Sequence, residues 1–260
     1  MPSPSKEFLR RRCVALLRLG LRLSSRPYRP PAGTALVVAP HADDETLGCG
    51  GFIASQVRAG RLLTVVYLTD SAGAGADPSA ARAWAEKRRA EAGAALAVLG
   101  LPADRIEHLG LPDGTLNRLP PEVGRAAVDR LARLIGQLRP AEVLVPYHRG
   151  GSTEHTAAWG LTVAALGAAG GGLLLEYPIW AWWNPLRLRN RLGARDGNRR
   201  LALGPWRAVK RRALACHASQ VVPVPPAVDP ALPASLAWAC CGPTEFFFAS
   251  HVPAAHDPGR

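Results

Sequence analysis

The sequence predicts an α/β protein with a Rossmann-like three-layer fold, in which helices flank a mostly parallel sheet. From about residue 34 onward, short apolar runs alternate with longer segments of helical periodicity, which is the pattern of successive βαβ units. Polar and charged residues follow directly after several of the apolar runs. Because ligands bind outside the carboxyl ends of parallel strands, we expect the active site at the C-terminal ends of the strands.

Five strands and four helices are expected between residues 34 and 180. The strands are short runs rich in Val, Leu and Ile, and the helices repeat apolar residues at helical spacing. Gly100 and Pro140 mark the ends of two helices. In chain order the predicted elements are the strand ALVVAP, the helix TLGCGGFIASQVRAG, the strand LLTVVYLTD, a helix over residues 79–99, the strand IEHLGL, the helix PPEVGRAAVDRLARLIGQLRP, the strand EVLVPY, the helix STEHTAAWGLTVAALG and the strand LLLEYPIW.

Size and charge favour one folded domain preceded by a basic segment. A chain of 260 residues suits a single large α/β domain. The net charge of +12 is concentrated in residues 1–30 (net +7) and 187–212 (net +9), so the rest of the chain is net negative. We therefore divide the chain into a basic amphipathic N-terminal segment, residues 1–30, and a single domain, residues 31–260. An anionic membrane or a phosphorylated substrate would suit the basic stretches, and the alternative is plain arginine-rich surface; no nucleic acid is expected as a partner.

The N-terminal segment has two interpretations. Leucines are interspersed with Arg11, Arg18 and Arg22, which share one helical face and interrupt the apolar run before it reaches membrane-spanning length. The segment either lies on an anionic membrane as an interfacial helix or packs on the domain surface. Five cysteines without Cys-x-x-Cys spacing indicate a reducing compartment. We expect a cytoplasmic protein, with peripheral contact at the inner face of the membrane if the first interpretation holds.

A cluster of charged residues follows the first predicted strand. His41, Asp43 and Asp44 lie within four positions, and carboxylates crowded together disfavour their own ionisation unless a positive charge is near. A metal ion is the first candidate. His155 follows the fourth predicted strand and reaches the same edge of the sheet. One Asp and two His with an open position describe a catalytic zinc site, with Asp43 free to act as a general base. The alternatives are that an aspartate caps the next helix and that His155 is a surface residue.

Six motifs occur in order along the chain, and they are VVAPHADDETLGCGG, RRAEAGAALAVLGL, GLPDGTL, STEHTAAW, KRRALACHASQ and EFFF. They resemble the motifs of the PIG-L (LmbE-like) family of zinc-dependent N-acetylglucosaminyl deacetylases. The resemblance covers nearly everything between residues 34 and 248. It implies that His41, Asp44 and His155 bind the metal, that Asp43 is the base, and, by a looser correspondence, that Arg88 and Asp113 hold the sugar.

Both substrate-binding residues also have simpler explanations. Asp113 lies within Pro-Asp-Gly and would serve as an ordinary turn residue. Arg88 lies in a charged helical segment and would serve as a solvated side chain. His217, in the HASQ motif, receives no role.

The chain departs from the family pattern at two positions. Ala42 replaces the usual proline, and Ser152 stands where relatives place a histidine that stabilises the oxyanion. A serine donates one hydrogen bond but carries no positive charge, so the loss is expected to cost on the order of 100-fold in rate. We predict Ser152 or His148 as the replacement, the latter if the Arg149-Gly150-Gly151 turn folds it inward.

The resemblance implies a hydrolase that removes the N-acetyl group from an N-acetylglucosamine-type sugar, using Zn²⁺ or another divalent cation such as Fe²⁺. Trp180, Trp182 and Trp183 lie beside an arginine-rich run, which favours a lipid- or phosphate-linked sugar; the alternative is a lid or oligomer contact. A catalytically divergent, membrane-associated glycan-binding module is the second hypothesis. A nucleotide-binding domain is the third, although the acids after the first strand would repel phosphate.

Overall fold

The computed structural model describes residues 4–73, 78–223 and 231–255, and its centre is one eight-stranded sheet. The strand order is β1-β7-β8-β6-β5-β2-β3-β4. Strands β4, β3, β2, β5 and β6 are parallel neighbours, and β8 runs antiparallel to both β6 and β7. The strands are β1 (Arg26–Pro27), β2 (Ala35–Ala39), β3 (Leu63–Thr69), β4 (Ile106–Leu111), β5 (Glu142–Pro146), β6 (Gly172–Tyr177), β7 (Asn198–Ala202) and β8 (Thr244–Val252).

Helices cover the two faces of this sheet. The helices are α1 (Pro4–Leu23), α2 (Asp44–Arg58), α3 (Pro78–Val98), α4 (Pro121–Leu138), α5 (Thr153–Ala168), α6 (Trp206–Cys216), α7 (Ala218–Val221) and α8 (Ala234–Cys240). Short 3-10 segments at His148–Gly150, Trp180–Trp182 and Pro185–Arg191 complete the edge near the carboxyl ends of the parallel strands. None of the helices described is both long and apolar enough to cross a bilayer.

The predicted fold class is confirmed, and all five predicted strands are present as β2 to β6. Side chains alternate between the two faces as the two-residue period of a strand requires. Val37 and Val65 belong to a core shared with α2 and α3, whereas Val38 and Val66 belong to a second core shared with α4 and α5. Strands buried on both faces explain why their sequences are continuously apolar.

The topology places the crevice of the sheet between β2 and β5. The chain runs outward from β2 through β3 to β4, then returns to β5 on the other side of β2 and continues to β6. Such a reversal separates the loops that follow the two central strands, and ligands of open α/β sheets bind there. The loop after β2 carries His41, and the helix after β5 carries His155.

The glycines after β2 allow close packing of α2. A Cβ at Gly48 would overlap the ring of the fully buried Tyr177, and one at Gly51 would overlap Leu203. The Tyr177 hydroxyl in turn donates a hydrogen bond of 2.7 Å to the carbonyl of Val38 in β2. These glycines are therefore explained by helix–sheet contact, and phosphate binding is not needed to account for them.

Helix α1 belongs to the same folded body as the sheet. Val14, Leu17 and Leu21 are buried in the larger core. The Arg18 guanidinium is half-buried, donates to the carbonyls of Thr244 and Ala239, and lies 4.6 Å from the Trp182 ring. Burial lowers the pKa of Arg18 to about 10. Residues 1–30 differ from the rest of the chain in composition, but packing is continuous across the boundary predicted at residue 30.

Candidate active site

Asp43 occupies the junction between the loop after β2 and helix α2. Its backbone is extended (φ 177°) and its side chain makes no capping hydrogen bond. Instead, Asp43 Oδ2 lies 3.3 Å from an Arg88 nitrogen, and the same nitrogen donates to the carbonyl of Ala42 at 3.1 Å. Burial raises the pKa of Asp43 against the opposing charge of Arg88. A buried carboxylate with a raised pKa that does not cap the helix is suited to accept a proton.

His41, Asp44 and His155 meet at the crevice between β2 and β5. Asp44 joins them, because its Oδ2 lies 3.2 Å from His41 Nδ1 and its Oδ1 lies 3.2 Å from His155 Nε2. The Asp44 carboxylate also accepts a hydrogen bond of 3.0 Å from the backbone N–H of His41. His155 is held by the start of α5, where its N–H donates to Ser152 Oγ at 3.2 Å.

Two more carboxylates surround His41. Asp113 Oδ1 lies 3.1 Å from His41 Nε2, and Glu154 Oε2 lies 3.7 Å from the same atom. Asp113 is fixed by the backbone N–H of Gly73, which donates to its other oxygen at 2.9 Å. Burial alone would lower the pKa of His41, but Asp113, Asp44 and Glu154 together raise it well above the usual value. Burial likewise opposes ionisation of Asp44, yet His155 and His41 hold its pKa below the usual range.

The donor set fits a divalent cation. One ligand atom each from His41, Asp44 and His155 lies within 4.8 Å of the others. His155 Nε2 is buried and, despite its proximity to Asp44, has no hydrogen-bond partner among the described residues; the same is true of both Glu154 oxygens. The carboxylates here outnumber the nearby positive groups, and a ring nitrogen beside them lacks a partner among the described residues. A bound cation would balance the negative charge and provide that partner. Two His and one Asp are ligands that Zn²⁺ accepts, with room for a further ligand.

A cavity of about 530 Å³ opens beside this cluster. His41, Asp43 and Asp44 line it, and its volume suits a small organic ligand such as a sugar. Parts of the chain that are far apart in sequence contribute to the lining, among them the residues just before α5 and the 3-10 segments after β6. The other lining residues are Leu47, Arg88, Asp113, Gly150, Gly151, Ser152, Trp180, Trp183, Asn184, Arg187, Gln220, Ala231 and Leu232.

Comparison with known protein families shows which family the chain belongs to. The profile of the PIG-L family, described as GlcNAc-PI de-N-acetylase, matches residues 36–166, which is half of the chain. The chain belongs to the PIG-L family. No curated protein sequence is significantly similar to it.

Solved structures share the fold of this PIG-L chain. A conserved protein from Thermus thermophilus is 27% identical with a TM-score of 0.60, covering 87% of this chain and 98% of its own. The N,N'-diacetylchitobiose deacetylase from Pyrococcus horikoshii is 20% identical with a TM-score of 0.56, covering 85% and 80%. A 4-carboxy-2-hydroxymuconate hydratase from Pseudomonas putida is 18% identical with a TM-score of 0.63, covering 88% and 99%. Because the last two differ in reaction, the shared fold does not by itself identify the chemistry.

Ser152 and His148, the two predicted replacements for the histidine of PIG-L relatives, lie in different surroundings. Ser152 lines the cavity and caps α5. His148 is not among the lining residues; its Nδ1 is bound to Glu176, and its ring stacks on Trp159 at 4.4 Å. The inward turn expected for His148 is therefore not what the structure shows. The carboxylate of Glu176, at the end of β6, anchors the imidazole away from the cavity.

Arg88 and Asp113, the two predicted substrate-binding residues, both line the cavity. Arg88 is buried and bound to Asp43, so it is not a solvated helical side chain. Asp113 belongs to a turn, but its carboxylate reaches His41. Of the three tryptophans, Trp180 and Trp183 line the cavity while Trp182 is buried in the core.

Sequence reasoning missed Glu154 and Arg187, and left His217 without a role. Glu154 had a signal, because an acid directly preceding a predicted ligand on a helix start faces the same edge. The sequence did not distinguish Arg187 from the other arginines, because its place in the cavity lining depends on the path of the chain through Pro185–Arg191. His217 is fully buried, with its Nε2 3.2 Å from Thr46 Oγ1 and 3.6 Å from Glu45 Oε1. His217 therefore packs against the start of α2.

Proposed function

We propose that this PIG-L protein is a metal-dependent hydrolase that removes the N-acetyl group from an N-acetylglucosamine-type amino sugar. The observation that carries the proposal is the meeting of His41, Asp44 and His155 beside a sugar-sized cavity, which Asp43 also lines. The diacetylchitobiose deacetylase of the same fold supports an acetylated sugar as substrate. All five cysteines are free thiols, which supports a reducing, cytoplasmic compartment.

His41, Asp44 and His155 would hold the cation, Zn²⁺ in our proposal with Fe²⁺ as the alternative. When bound, such an ion supplies Lewis-acid polarisation of the acetyl carbonyl and makes water more acidic. Glu154 and Asp113 face His41 and would keep its ring oriented, as carboxylates next to ligand histidines do.

Asp43 would remove the proton from the attacking water. Its raised pKa lets it hold that proton while the tetrahedral carbon forms, and Arg88 keeps the carboxylate in place. The proton then passes to the departing amine nitrogen, so that acetate and the free amino sugar leave.

Ser152 is the proposed hydrogen-bond donor to the developing oxyanion. Its oxygen already accepts the N–H of His155, so the orientation of the hydroxyl is restricted, while its proton is free to point into the cavity. Donors fixed before the reaction stabilise charge at no cost of reorganisation.

An arginine in the cavity lining supports a lipid- or phosphate-linked sugar. Arg187 lines the cavity, and its guanidinium makes no hydrogen bond or ion pair within the described residues. Gly151, with φ +105°, lets this side chain approach, because a Cβ there would lie 2.7 Å from Arg187 Nε. An unpaired guanidinium beside Trp180 and Trp183 would bind phosphate next to a stacked sugar ring.

Acetate release together with metal content tests the main proposal. Purified protein loaded with Zn²⁺ or Fe²⁺ should contain one ion per chain and release acetate from N-acetylglucosamine conjugates, and His155→Ala should lose both properties. A protein that binds no metal and releases no acetate contradicts the proposal. Metal binding with glycan binding but without acetate release would favour the divergent binding module, which the serine at position 152 keeps as the second candidate.

The phosphate linkage has a separate test. Arg187→Gln should raise KM for a phosphate-linked N-acetylglucosamine by about tenfold or more and leave KM for diacetylchitobiose unchanged. Equal effects on both substrates would remove phosphate recognition from the proposal without affecting the deacetylase assignment.

A further inference from the structure

Helix α1 carries apolar side chains on two opposite sides. One side, with Val14, Leu17 and Leu21, is buried in the domain core. The opposite side, here termed the outer face of α1, carries five large apolar side chains that are 55–71% exposed. These five account for nearly half of the exposed large apolar side chains in the described part of the chain, and they are Phe8, Leu9, Leu16, Leu19 and Leu23. Concentration of this kind on one helix face marks an interaction surface.

The outer face of α1 continues onto the chain at the end of the 3-10 segment Pro185–Arg191. A Cβ at Gly20 would lie 2.8 Å from the Leu192 side chain, so this side chain packs closely on the helix backbone at that point. Leu16 and Leu23 flank Gly20 on the helix surface, four residues before it and three after it. Leu186 and Leu192 on the neighbouring segment are themselves exposed. The apolar surface therefore extends beyond a single helix.

Arginines surround this surface. Residues 1–30 hold eight Lys and Arg against one acid, and Glu7 is already paired with Arg10 and Arg11. Arg12 lies within the outer face with its guanidinium 4.9 Å from the Phe8 ring, while Arg22 is exposed at its border. Arginines that extend from an apolar face place their charges at the level of lipid headgroups.

Helix α1 also contacts a residue that lines the cavity. The Arg10 guanidinium of α1 covers the ring of Trp183 at 3.5 Å, and Trp183 lines the cavity. The segment that carries Leu186 also carries the cavity-lining Arg187.

We propose that the outer face of α1 docks on a lipid bilayer containing anionic headgroups. The leucines enter the boundary of the acyl chains, and the surrounding arginines pair with the headgroup phosphates. Helix α1 stays attached to the domain core throughout, through Val14, Leu17, Leu21 and Arg18. A bilayer fits better than an acidic protein because the charges border an apolar strip that needs an apolar partner. The proposal does not depend on the reaction in the cavity.

Co-sedimentation of the full chain with vesicles tests the proposal. The chain should bind vesicles of phosphatidylcholine mixed with phosphatidylglycerol, bind phosphatidylcholine alone weakly, and bind less in high salt because counter-ions screen the arginines. Replacing Leu9, Leu16, Leu19 and Leu23 by Gln should weaken binding by more than about tenfold, since most of the inserted apolar area is lost. These side chains are exposed, so the variant should keep the melting temperature of the parent. Deleting residues 1–30 would be a poor test, because it removes core side chains.

The matched control is Leu62→Gln with Val98→Gln, two exposed apolar residues outside α1. It should bind vesicles as the parent does. The proposal is overturned if the parent does not bind anionic vesicles, if the α1 variant binds equally well, or if the control loses binding to the same extent. It is also overturned if light scattering shows a dimer that only the α1 variant disrupts, because a second copy then covers the outer face.

Discussion

Asp43 differs in two ways from an aspartate that caps a helix. It begins a helix without capping it, and it is almost fully buried against a single cation, Arg88. A capping aspartate would have its lone pairs occupied by backbone N–H groups. This one keeps an oxygen available at the cavity.

Asp43→Asn should reduce kcat by about 100- to 10,000-fold, because an amide does not take up the proton of the attacking water. Metal content should stay at the parent value, since Asp43 is not one of the three predicted ligands. Acetate release and elemental analysis measure the two effects. Asp104→Asn, on the exposed surface, is the matched control and should leave both unchanged. An Asp43→Asn protein with full activity would remove the base from the mechanism.

Ser152 allows its capping role to be separated from its role toward the substrate. Ser152→Ala should cost about 1 kcal/mol of unfolding free energy through the lost cap and also reduce kcat. Ser152→Asp should recover the stability, because Asp caps well, yet remain slow, because a carboxylate repels an oxyanion. Urea unfolding and acetate release give the two readouts. His148→Ala should change kcat little; a large loss there, with normal activity in Ser152→Ala, would show that the roles are the reverse of those proposed.

Gly48 lets helix α2 pack closely against the sheet. Gly48→Ala should destabilise the protein by about 1–3 kcal/mol, since the new methyl group overlaps a tyrosine ring that is itself fully buried. Gly93→Ala in α3 is the matched control: nothing lies within 4 Å of its Cβ position, so it should stabilise by about 0.5–1 kcal/mol. Urea unfolding measures both. Equal effects would mean that α2 has room to move away from the sheet.

The β3–β4 pair carries a pH-sensitive histidine. Burial, with the charge of Arg89, lowers the pKa of His108 from 6.5 to about 4. The unfolded chain therefore binds more protons between these pH values, and His108 contributes stability that is present above 6.5 and lost as the pH falls towards 4. His108→Gln should flatten the fall of unfolding free energy over this range, and Arg89→Gln should flatten it less. Urea unfolding at several pH values measures the slope; an unchanged slope in His108→Gln would assign the acid sensitivity elsewhere.

The parallel strands and the meeting of His41, Asp44 and His155 could be predicted because their signals are local. An uninterrupted run such as ALVVAP is typical of a strand buried on both faces, and the spacing of His41 and Asp44 defines two of the three residues of the cluster. The strands β1, β7 and β8 were not predicted. β1 has two residues, β7 is rich in arginine, and each is defined by its neighbours in the sheet. The orientation of the His148 side chain was not predicted either, because it depends on a contact with Glu176, which lies in β6.

At the scale of the whole molecule, a buried ion pair between α6 and β8 joins these two elements to α2. Lys210 Nζ lies 2.7 Å from Glu245 Oε1 and donates to the carbonyl of Leu47 at 2.8 Å, while the Glu245 oxygens accept the N–H groups of Gly51 and Phe52. The pair thus joins three elements at the middle of α2. Burial alone would lower the pKa of Lys210, but Glu245 raises it.

Lys210→Met should lower the unfolding free energy by about 3–5 kcal/mol, because Glu245 is left as an uncompensated buried charge. Adding Glu245→Gln should recover part of the loss by removing that charge. Urea unfolding of the two variants and the parent measures both steps. A double variant that is as unstable as Lys210→Met alone would mean that the cost arises from packing.

The position of the cluster between β2 and β5 also has a consequence for biosynthesis. The two strands are hydrogen-bonded neighbours, yet β3 and β4, with their helices, lie between them in the chain. A nascent polypeptide would therefore expose the His41 loop on the ribosome long before His155 is translated. The metal binding proposed for this cluster would begin only after β2 and β5 have paired, so it would report that this half of the protein has finished folding.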